Sequence, residues 1–227
     1  MKRILLLLFF ALTLSYTEAQ KISVLGDSYS TFQGYVTPDT NAIWYPLDKK
    51  GNDVHQLEQS WVYKFVNENG FILEINNSYS GSTISNTGYN KEDYTDRSFT
   101  TRMDNLGKPD IIIIFGATND SWAGSPKGEY KYKKIKKQDL YSFRPAMAYM
   151  CRYMKKHYKK SKVFFVLNSE LKDEINESAK TILDHYSLPC IVLHDIEKLD
   201  GHPSVKGMQS IVDQLNAFIL PQIKKQQ

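Results

Sequence analysis

The sequence has few cysteines, and they form no metal-binding pattern. Two occur in 227 residues, Cys151 and Cys190, without a C-x-x-C pair or a histidine-rich spacing, so we predict no metal site. Cys151 lies in a predicted helix, and Cys190 opens a predicted strand. Both segments have the pattern of buried elements, which favours two free core thiols. The alternative is one disulfide, which an oxidising compartment would permit.

The sequence also lacks a strong net charge and a long apolar run beyond its first twenty residues. The net charge of +4 does not by itself indicate a nucleic-acid partner. An apolar run at residues 4–14, too short for a bilayer, follows Lys2 and Arg3 and precedes Thr17-Glu18-Ala19. This arrangement predicts a secretory signal peptide over residues 1–19. No cysteine directly follows this segment to carry a lipid anchor, so we expect an exported protein, periplasmic or secreted, without a membrane anchor.

Residues 20–227 have the length of a single domain and alternate strand and helix patterns. The clearest strand is the run of four isoleucines and one phenylalanine at residues 111–115, typical of a strand buried on both faces. The alternation indicates a parallel sheet covered on both sides. We predict a three-layer α/β/α, flavodoxin-like fold with a central parallel sheet of about five strands, at residues 22–25, 71–75, 111–115, 162–167 and 191–194.

Helices and long irregular segments connect these strands. Ser60 as an N-cap and Gly70 after the last turn bound the first predicted helix. A short helix is expected within 97–106. Longer ones are expected from 139 or 142 to 158, over 170–186, and after Pro203 or Ser204. Three polar segments are expected to be loops: 33–59, 76–96 and 121–138. The segment 33–59 suits an active-site loop, since long loops in compact domains are usually functional.

The first predicted strand ends abruptly in Gly26-Asp27-Ser28. A turn at the end of a buried parallel strand presents its side chains at the edge where sites of open α/β sheets lie. Ser28 is therefore a candidate nucleophile, which would need a base and donors for a developing oxyanion. The alternative is a serine that caps a turn.

Three later residues could supply those partners. Gly81 follows the second predicted strand in N-S-Y-S-G, Asn119 follows the third in G-A-T-N-D, and His202 stands in D-G-H-P before the last helix. We expect all three at the same sheet edge as Ser28. The alternatives are a turn glycine, a loop-capping amide and an ordinary loop histidine.

Together these four blocks resemble those of the SGNH hydrolase superfamily, the GDSL-type esterases and lipases, over nearly the whole chain after residue 20. The resemblance implies that Ser28 is the nucleophile and His202 its base. It also implies an oxyanion hole made by the backbone N–H groups of Ser28 and Gly81 and the side-chain amide of Asn119. It implies no cofactor.

Two blocks depart from the superfamily pattern. The usual D-x-x-H has Leu199 at its acid position, and the nearest carboxylate is Asp200. We expect Asp200 to orient His202, with three alternatives: Asp195, Glu197, or a backbone carbonyl in a serine–histidine dyad. The usual G-x-N-D block has Ala117 at its glycine position.

The resemblance and the composition together predict a serine esterase that works through an acyl-enzyme. Export, polar aromatic loops and the absence of a long apolar stretch favour an acyl group, above all O-acetyl, on a carbohydrate. The partner would be a small-molecule or glycan ester, and the oligomeric state is left open. The alternatives are a lysophospholipase or thioesterase acting on lipids, and a non-catalytic glycan-binding protein that lost its acid at Leu199.

Aromatic and basic residues in the long loops are candidates for substrate contacts. Flat aromatic rings could stack on a sugar or line an acyl pocket, and the alternative is that they pack the loops onto the sheet. The lysine-rich stretch at residues 127–137 suits a solvated surface or an electrostatic rim for an acidic glycan. The aromatic candidates are Trp44, Tyr45, Tyr89 and Trp122.

Overall fold

A five-stranded parallel sheet forms the middle of the protein. The structure is a computed structural model that describes residues 18–46 and 51–224. The strands are β1 (Lys21–Gly26), β2 (Ile72–Ser78), β3 (Ile111–Gly116), β4 (Lys162–Leu167) and β5 (Cys190–Val192). Their order across the sheet is β2-β1-β3-β4-β5, and all neighbours are parallel. This is the flavodoxin-like order, so the predicted sheet is confirmed.

The central strand, β3, is buried along its whole length and pairs with β1 on one side and β4 on the other. Successive side chains of a strand point to opposite faces. Ile112 and Ile114 accordingly enter the apolar core on one face, and Ile113 and Phe115 enter the core on the other. Two helical layers must therefore cover the sheet.

Within the described residues, six α-helices and one hairpin complete the fold. They are α1 (Trp61–Glu68), α2 (Phe99–Arg102), α3 (Thr118–Ala123), α4 (Phe143–His157), α5 (Asp173–His185), α6 (Val205–Lys224), and a hairpin of β6 (Lys198–Leu199) and β7 (His202–Pro203). Helices α1 and α6 cover the face of Ile113, and α2, α4 and α5 cover the face of Ile112. The three-layer α/β/α prediction is thereby confirmed.

The bounds of α1 follow the capping residues in the sequence. The Ser60 hydroxyl oxygen accepts a hydrogen bond from the Tyr63 N–H at 3.4 Å, and Gly70 follows the helix with a φ of 66°. Helices α4 and α5 begin and end within about three residues of their predicted bounds, and α6 begins directly after Ser204, as predicted.

Three parts of the chain differ from the prediction. β2 continues through Asn76, Asn77 and Ser78, which were expected to open a loop. These polar groups are buried in the strand because they are hydrogen-bonded: the Asn77 amide donates to the carbonyls of Arg102 and Asn105 at 3.1 Å each. Helix α3 and the β6–β7 hairpin were also not expected, since both are shorter than the patterns that mark helices and strands.

The predicted signal peptide, residues 1–19, lies almost wholly outside the described residues, which begin at 18, and stays a prediction. Within the described ranges, no helix is long and apolar enough to cross a membrane.

Both cysteines are free in the structure. Cys151 is buried in α4, and Cys190 is half-buried at the start of β5. Burial raises the pKa of the Cys151 thiol and raises that of Cys190 to about 12. Because the thiolate is the reactive form, both thiols should be slow to react in the folded protein.

We therefore expect alkylation in denaturant without any reductant to add two labels, and brief labelling of the folded protein to add almost none, as measured by intact mass spectrometry. A Cys190→Ser variant should take up one label in denaturant. Uptake that required prior reduction would contradict two free thiols.

Candidate active site

Ser28, Gly81 and Asn119 lie just beyond the ends of three neighbouring strands. β1 ends at Gly26, β2 at Ser78 and β3 at Gly116. The carboxyl ends of parallel neighbours share one edge of the sheet. The structure therefore brings the three predicted residues to the same edge.

Ser28 opens a single 3-10 turn, Ser28–Ser30, directly after β1. The Asp27 carboxylate accepts a hydrogen bond from the Tyr29 N–H at 3.1 Å, and the Thr31 hydroxyl donates to the Ser28 carbonyl at 2.9 Å. Ser28 is only 3% exposed. These contacts fix the backbone of the turn and with it the direction of the Ser28 side chain.

The imidazole of His202 reaches Ser28 from the β6–β7 hairpin. Its Nε2 lies 2.9 Å from the Ser28 Oγ, and its Nδ1 lies 3.1 Å from the carbonyl oxygen of Asp200. A carbonyl oxygen can only accept, so Nδ1 carries the proton and Nε2 accepts from the Ser28 hydroxyl. A general base for a serine nucleophile needs this tautomer.

Asp200 meets the imidazole through its main chain, and its side chain is exposed. Asp200 and Gly201 have φ values of 51° and 72° and form the turn between β6 and β7. Asp-Gly is a favoured pair for such two-residue hairpin turns, which need positive φ at both positions. The Asp-Gly pair thus explains why a carboxylate stands one residue later than the superfamily pattern.

The other two candidate acids make contacts elsewhere. Asp195 is exposed and lies 2.9 Å from Nδ1 of His194. Glu197 accepts hydrogen bonds from the Ser204 hydroxyl at 2.7 Å and from Lys206 at 3.2 Å. Of the three alternatives for orienting His202, the geometry favours the backbone carbonyl, and an acid role for the Asp200 carboxylate stays a prediction.

Polar side chains from the N-terminal third hold the hairpin in place. The Tyr29 hydroxyl donates to the Gly201 carbonyl at 2.7 Å, the Tyr45 hydroxyl donates to the Pro203 carbonyl at 2.9 Å, and the Asn52 amide donates to the Leu199 carbonyl at 3.1 Å. Tyr45 is fully buried. It packs the loop against the hairpin, and its role as a substrate-binding residue stays a prediction.

Two tryptophans lie against the His202 ring. Trp44 stacks on it, with ring centroids 3.5 Å apart and an interplanar angle of 9°. Trp122 approaches edge-on at 5.8 Å and is 42% exposed. A stacked indole attracts a cation above its face, so Trp44 favours the imidazolium that forms when His202 takes a proton. Trp122 keeps surface available for a ligand.

Asn119 lies in the first turn of α3 and is almost fully buried. Its amide nitrogen donates to the Ser82 carbonyl at 3.0 Å, one residue beyond Gly81. Gly81 has a φ of 80°, and Ala117, which stands at the superfamily's glycine, has a φ of 75°. This left-handed backbone normally favours glycine, so Ala117 keeps the geometry of the block at some cost in backbone energy.

Asp120 anchors the loop after Gly81 to α3. Its buried carboxylate accepts hydrogen bonds from the N–H groups of Ile84 and Ser85, at 2.7 and 3.1 Å, and from the Ser85 hydroxyl at 3.0 Å. Burial raises the pKa of Asp120 to about 6, although these donors oppose the rise. The sequence places Asp120 in the G-x-N-D block, but it does not indicate this anchoring contact.

Arg102 joins the ends of β1 and β2 from beneath the site. Its buried guanidinium donates to the carbonyls of Asn77 and Gly26 and to the Ser82 hydroxyl. Burial lowers the pKa of Arg102 to about 9. Sequence reasoning missed this residue because arginine in a short helix is usually exposed.

The donor set at this edge is that of acyl transfer. A hydroxyl, an imidazole and an amide meet there, and within the described ranges no group of three or more His, Cys, Asp or Glu side chains could hold a metal ion.

Asp200→Asn should keep kcat/KM within a few-fold of wild type, because the main-chain carbonyl that contacts Nδ1 of His202 remains and asparagine tolerates positive φ. Asp195→Asn is a matched control, since Asp195 is also exposed and has a φ of 52°. Hydrolysis of an aryl acetate is the measurement. Loss of an orienting carboxylate typically lowers kcat by ~10⁴-fold. A loss approaching that size in Asp200→Asn, but not in Asp195→Asn, would show that the Asp200 carboxylate orients His202.

Asp27→Asn should stabilise the protein at pH 8 and have less effect at pH 5. Burial raises the pKa of Asp27 to about 7, so the folded protein binds this proton more tightly than the unfolded chain does. The resulting destabilisation develops as pH rises from about 4 to 7 and is complete above that. A difference of one unit between the pKa of Asp27 in the folded and unfolded states corresponds to about 1.4 kcal/mol in the free energy of unfolding.

The measurement is the difference in Tm between Asp27→Asn and wild type at both pH values, which should grow by several degrees from pH 5 to pH 8. Asp213→Asn, an exposed change of the same charge on α6, is the control. A difference in Tm that does not vary with pH would contradict the shifted Asp27.

Comparison with known proteins agrees with this geometry. The sequence model of the GDSL-like lipase/acylhydrolase family matches residues 20–219. The crystal structure of a candidate GDSL-like lipase from Bacteroides ovatus is 56% identical, with a TM-score of 0.87, and the match covers 89% of this chain and 99% of that one. A second candidate, from Bacteroides uniformis, is 54% identical with a TM-score of 0.88 and coverages of 89% and 96%.

A more distant structure shares the fold alone. An acetyl xylan esterase from the rumen bacterium Butyrivibrio proteoclasticus is 13% identical, with a TM-score of 0.58, and the match covers 92% of this chain and 65% of that one. No curated protein matches the chain. The family match over residues 20–219 and the identity to two solved structures lead to one conclusion: the chain belongs to the GDSL-like lipase/acylhydrolase family of the SGNH superfamily, serine hydrolases that act on ester bonds.

Proposed function

We propose that this protein is an exported esterase that removes O-acetyl groups from a carbohydrate through an acyl-enzyme on Ser28. The observation that carries the proposal is the 2.9 Å contact between Ser28 Oγ and His202 Nε2. A serine hydroxyl becomes a useful nucleophile only when a positioned base can take its proton. That contact also argues against a binding protein that has lost its catalytic machinery.

In the proposed reaction, His202 takes the Ser28 proton as Oγ attacks the ester carbonyl. The negative charge that develops on the carbonyl oxygen is held by the N–H groups of Ser28 and Gly81 and the Asn119 amide. The imidazolium, stacked on Trp44, then gives its proton to the ester oxygen of the sugar as the bond from that oxygen to the acetyl carbon breaks, and the sugar leaves with a free hydroxyl. Water attacks the acetyl-enzyme, again with His202 as base, which releases acetate and restores Ser28.

The surroundings of Ser28 support a short acyl group. The nucleophile is 3% exposed, and the neighbouring imidazole is covered on one face by Trp44. A narrow approach of this kind suits an acetyl group better than a long chain. The partly exposed ring of Trp122 beside His202 offers the flat apolar face on which sugars stack.

Two further points support a carbohydrate substrate and export. The same fold serves deacetylation in a protein named as an acetyl xylan esterase. The N-terminal pattern of Lys2, Arg3 and an apolar run at 4–14 is that of a secretory signal. Fold alone does not set a substrate, so a direct test is needed.

We expect the protein starting at residue 20 to hydrolyse aryl acetate faster than aryl octanoate and to release acetate from an acetylated glycan. Ser28→Ala should lower kcat by at least ~10⁴-fold. Ser30→Ala, a buried serine of the same turn, should retain wild-type turnover. A serine-directed phosphonate should add one label to the wild type and none to Ser28→Ala.

Activity that rises with acyl chain length would support the lipid-directed alternative instead. Glycan binding without turnover or phosphonate label would support the non-catalytic one.

A further inference from the structure

Tyr89 contacts the acceptor side of the Asn119 amide. The Tyr89 hydroxyl donates to Asn119 Oδ1 at 2.8 Å, and Asn119 Nδ2 donates to the Ser82 carbonyl at 3.0 Å. Since a carbonyl oxygen only accepts, the atom next to Ser82 must be the amide nitrogen. The two contacts together leave the amide one orientation.

The orientation of this amide decides whether Asn119 can stabilise an oxyanion. A primary amide carries two N–H donors, and one of them is used by Ser82. In the observed orientation the second N–H is directed away from that contact. If the amide rotated by 180°, Oδ1 would replace the nitrogen as neighbour of the Ser82 carbonyl, and two acceptors would face each other. The Ser82 carbonyl therefore selects this orientation, and the Tyr89 hydroxyl, which donates to Oδ1 at the other end of the amide, holds the amide in it.

The loop that carries Tyr89 is held in an unusual conformation. Asn90 and Lys91, the next two residues, have φ values of 54° and 62°, the left-handed region, which asparagine tolerates and which is unfavourable for lysine. The turn is closed by hydrogen bonds from the Gly88 N–H to the Glu92 carbonyl at 2.9 Å and from the Glu92 N–H to the Tyr89 carbonyl at 3.0 Å. Such strain is found where a side chain must be placed accurately.

The same loop is tied to the helix that carries Asn119. Asp120, the next residue after Asn119, accepts hydrogen bonds from Ile84 and Ser85, and the Ser125 hydroxyl donates to the Thr87 carbonyl at 3.2 Å. Tyr89 and Asn119 thus belong to one hydrogen-bonded unit. Burial raises the pKa of Tyr89 to about 12, so its hydroxyl stays a donor at neutral pH.

We propose that Tyr89 is a positioning residue that fixes the side-chain amide of Asn119 for the oxyanion hole. The proposal rests on the proposed function, because it needs Asn119 as an oxyanion donor. It assigns Tyr89 a role different from the sugar stacking or loop packing expected from the sequence.

The kinetic test is a double-mutant cycle on hydrolysis of an aryl acetate. Tyr89→Phe should lower kcat about tenfold, the effect of losing one such hydrogen bond, with KM unchanged. Asn119→Ala should lower kcat by about 10² to 10³. Adding Tyr89→Phe to Asn119→Ala should cause no further loss, because Tyr89 acts through the amide that is already absent.

Tyr141→Phe is the matched control. The Tyr141 hydroxyl donates to Asp93 in the same loop at 2.9 Å, so this variant loses a comparable loop hydrogen bond that does not involve Asn119. It should keep the wild-type kcat. Three results would each overturn the proposal. They are an equal loss of kcat in Tyr89→Phe and Tyr141→Phe, a change in KM alone in Tyr89→Phe, and a further tenfold loss of kcat when Tyr89→Phe is added to Asn119→Ala.

A second measurement does not depend on turnover. The Asn119 side-chain N–H signals in a ¹⁵N NMR spectrum, assigned by their loss in Asn119→Ala, should shift and exchange faster with solvent in Tyr89→Phe and remain unchanged in Tyr141→Phe. Unchanged signals in Tyr89→Phe would overturn the positioning role even if the wild type hydrolysed no ester. Shifted signals with an inactive wild type would refute the proposed function and leave the contact established.

Discussion

The hydrogen bond between Ser28 and His202 joins residues 174 positions apart, and much of the structure around it serves to hold its two ends together. Ser28 is placed by β1 and by the Asp27 carboxylate. His202 is placed by a hairpin whose strands are only two residues each. So short a hairpin is not stable alone. Its position depends on Tyr29, Tyr45 and Asn52, which reach it from the Ser28 side.

Beneath this contact the protein buries several charged or titratable groups. Asp27, Asp120 and Arg102 are all buried. Burial favours the neutral form of each, so it raises the pKa of the two aspartates and lowers that of the arginine. Hydrogen bonds to backbone groups largely compensate Asp120 and Arg102, whereas Asp27 accepts one backbone hydrogen bond, from the Tyr29 N–H. A network of this kind lowers the stability of the fold compared with an apolar core, but it fixes the backbone that carries Ser28, Gly81 and Asn119.

Much of the fold follows directly from the sequence. The apolar run at 111–115 has the length and β-branched content of a strand buried on both faces, and the Ser60 cap and Gly70 bound α1 as expected. The three strand-end blocks that carry Ser28, Gly81 and Asn119 could also be predicted, because parallel topology brings such blocks to one edge.

Other features could not be predicted because they depend on contacts between distant side chains. Asn76 and Asn77 are polar residues in a strand. This becomes favourable only because distant carbonyls accept from their amides, those of Ser30 and Tyr35 for Asn76 and those of Arg102 and Asn105 for Asn77. The Tyr89–Asn119 contact spans 30 residues and has no sequence pattern. The Asp-Gly pair before His202 is itself the sequence signal of a hairpin turn, but the superfamily's D-x-x-H pattern predicts a carboxylate contact at this place.

The β6–β7 hairpin presents different groups on its two sides. Its inner side presents the imidazole, while its outer side carries the exposed Leu199 and Asp200. Because Asp200 contacts the ring through its main-chain carbonyl, these two side chains can vary without loss of that contact as long as position 200 tolerates a left-handed backbone. The surface beside the nucleophile can therefore change in shape and charge while the contact between His202 and Ser28 is kept.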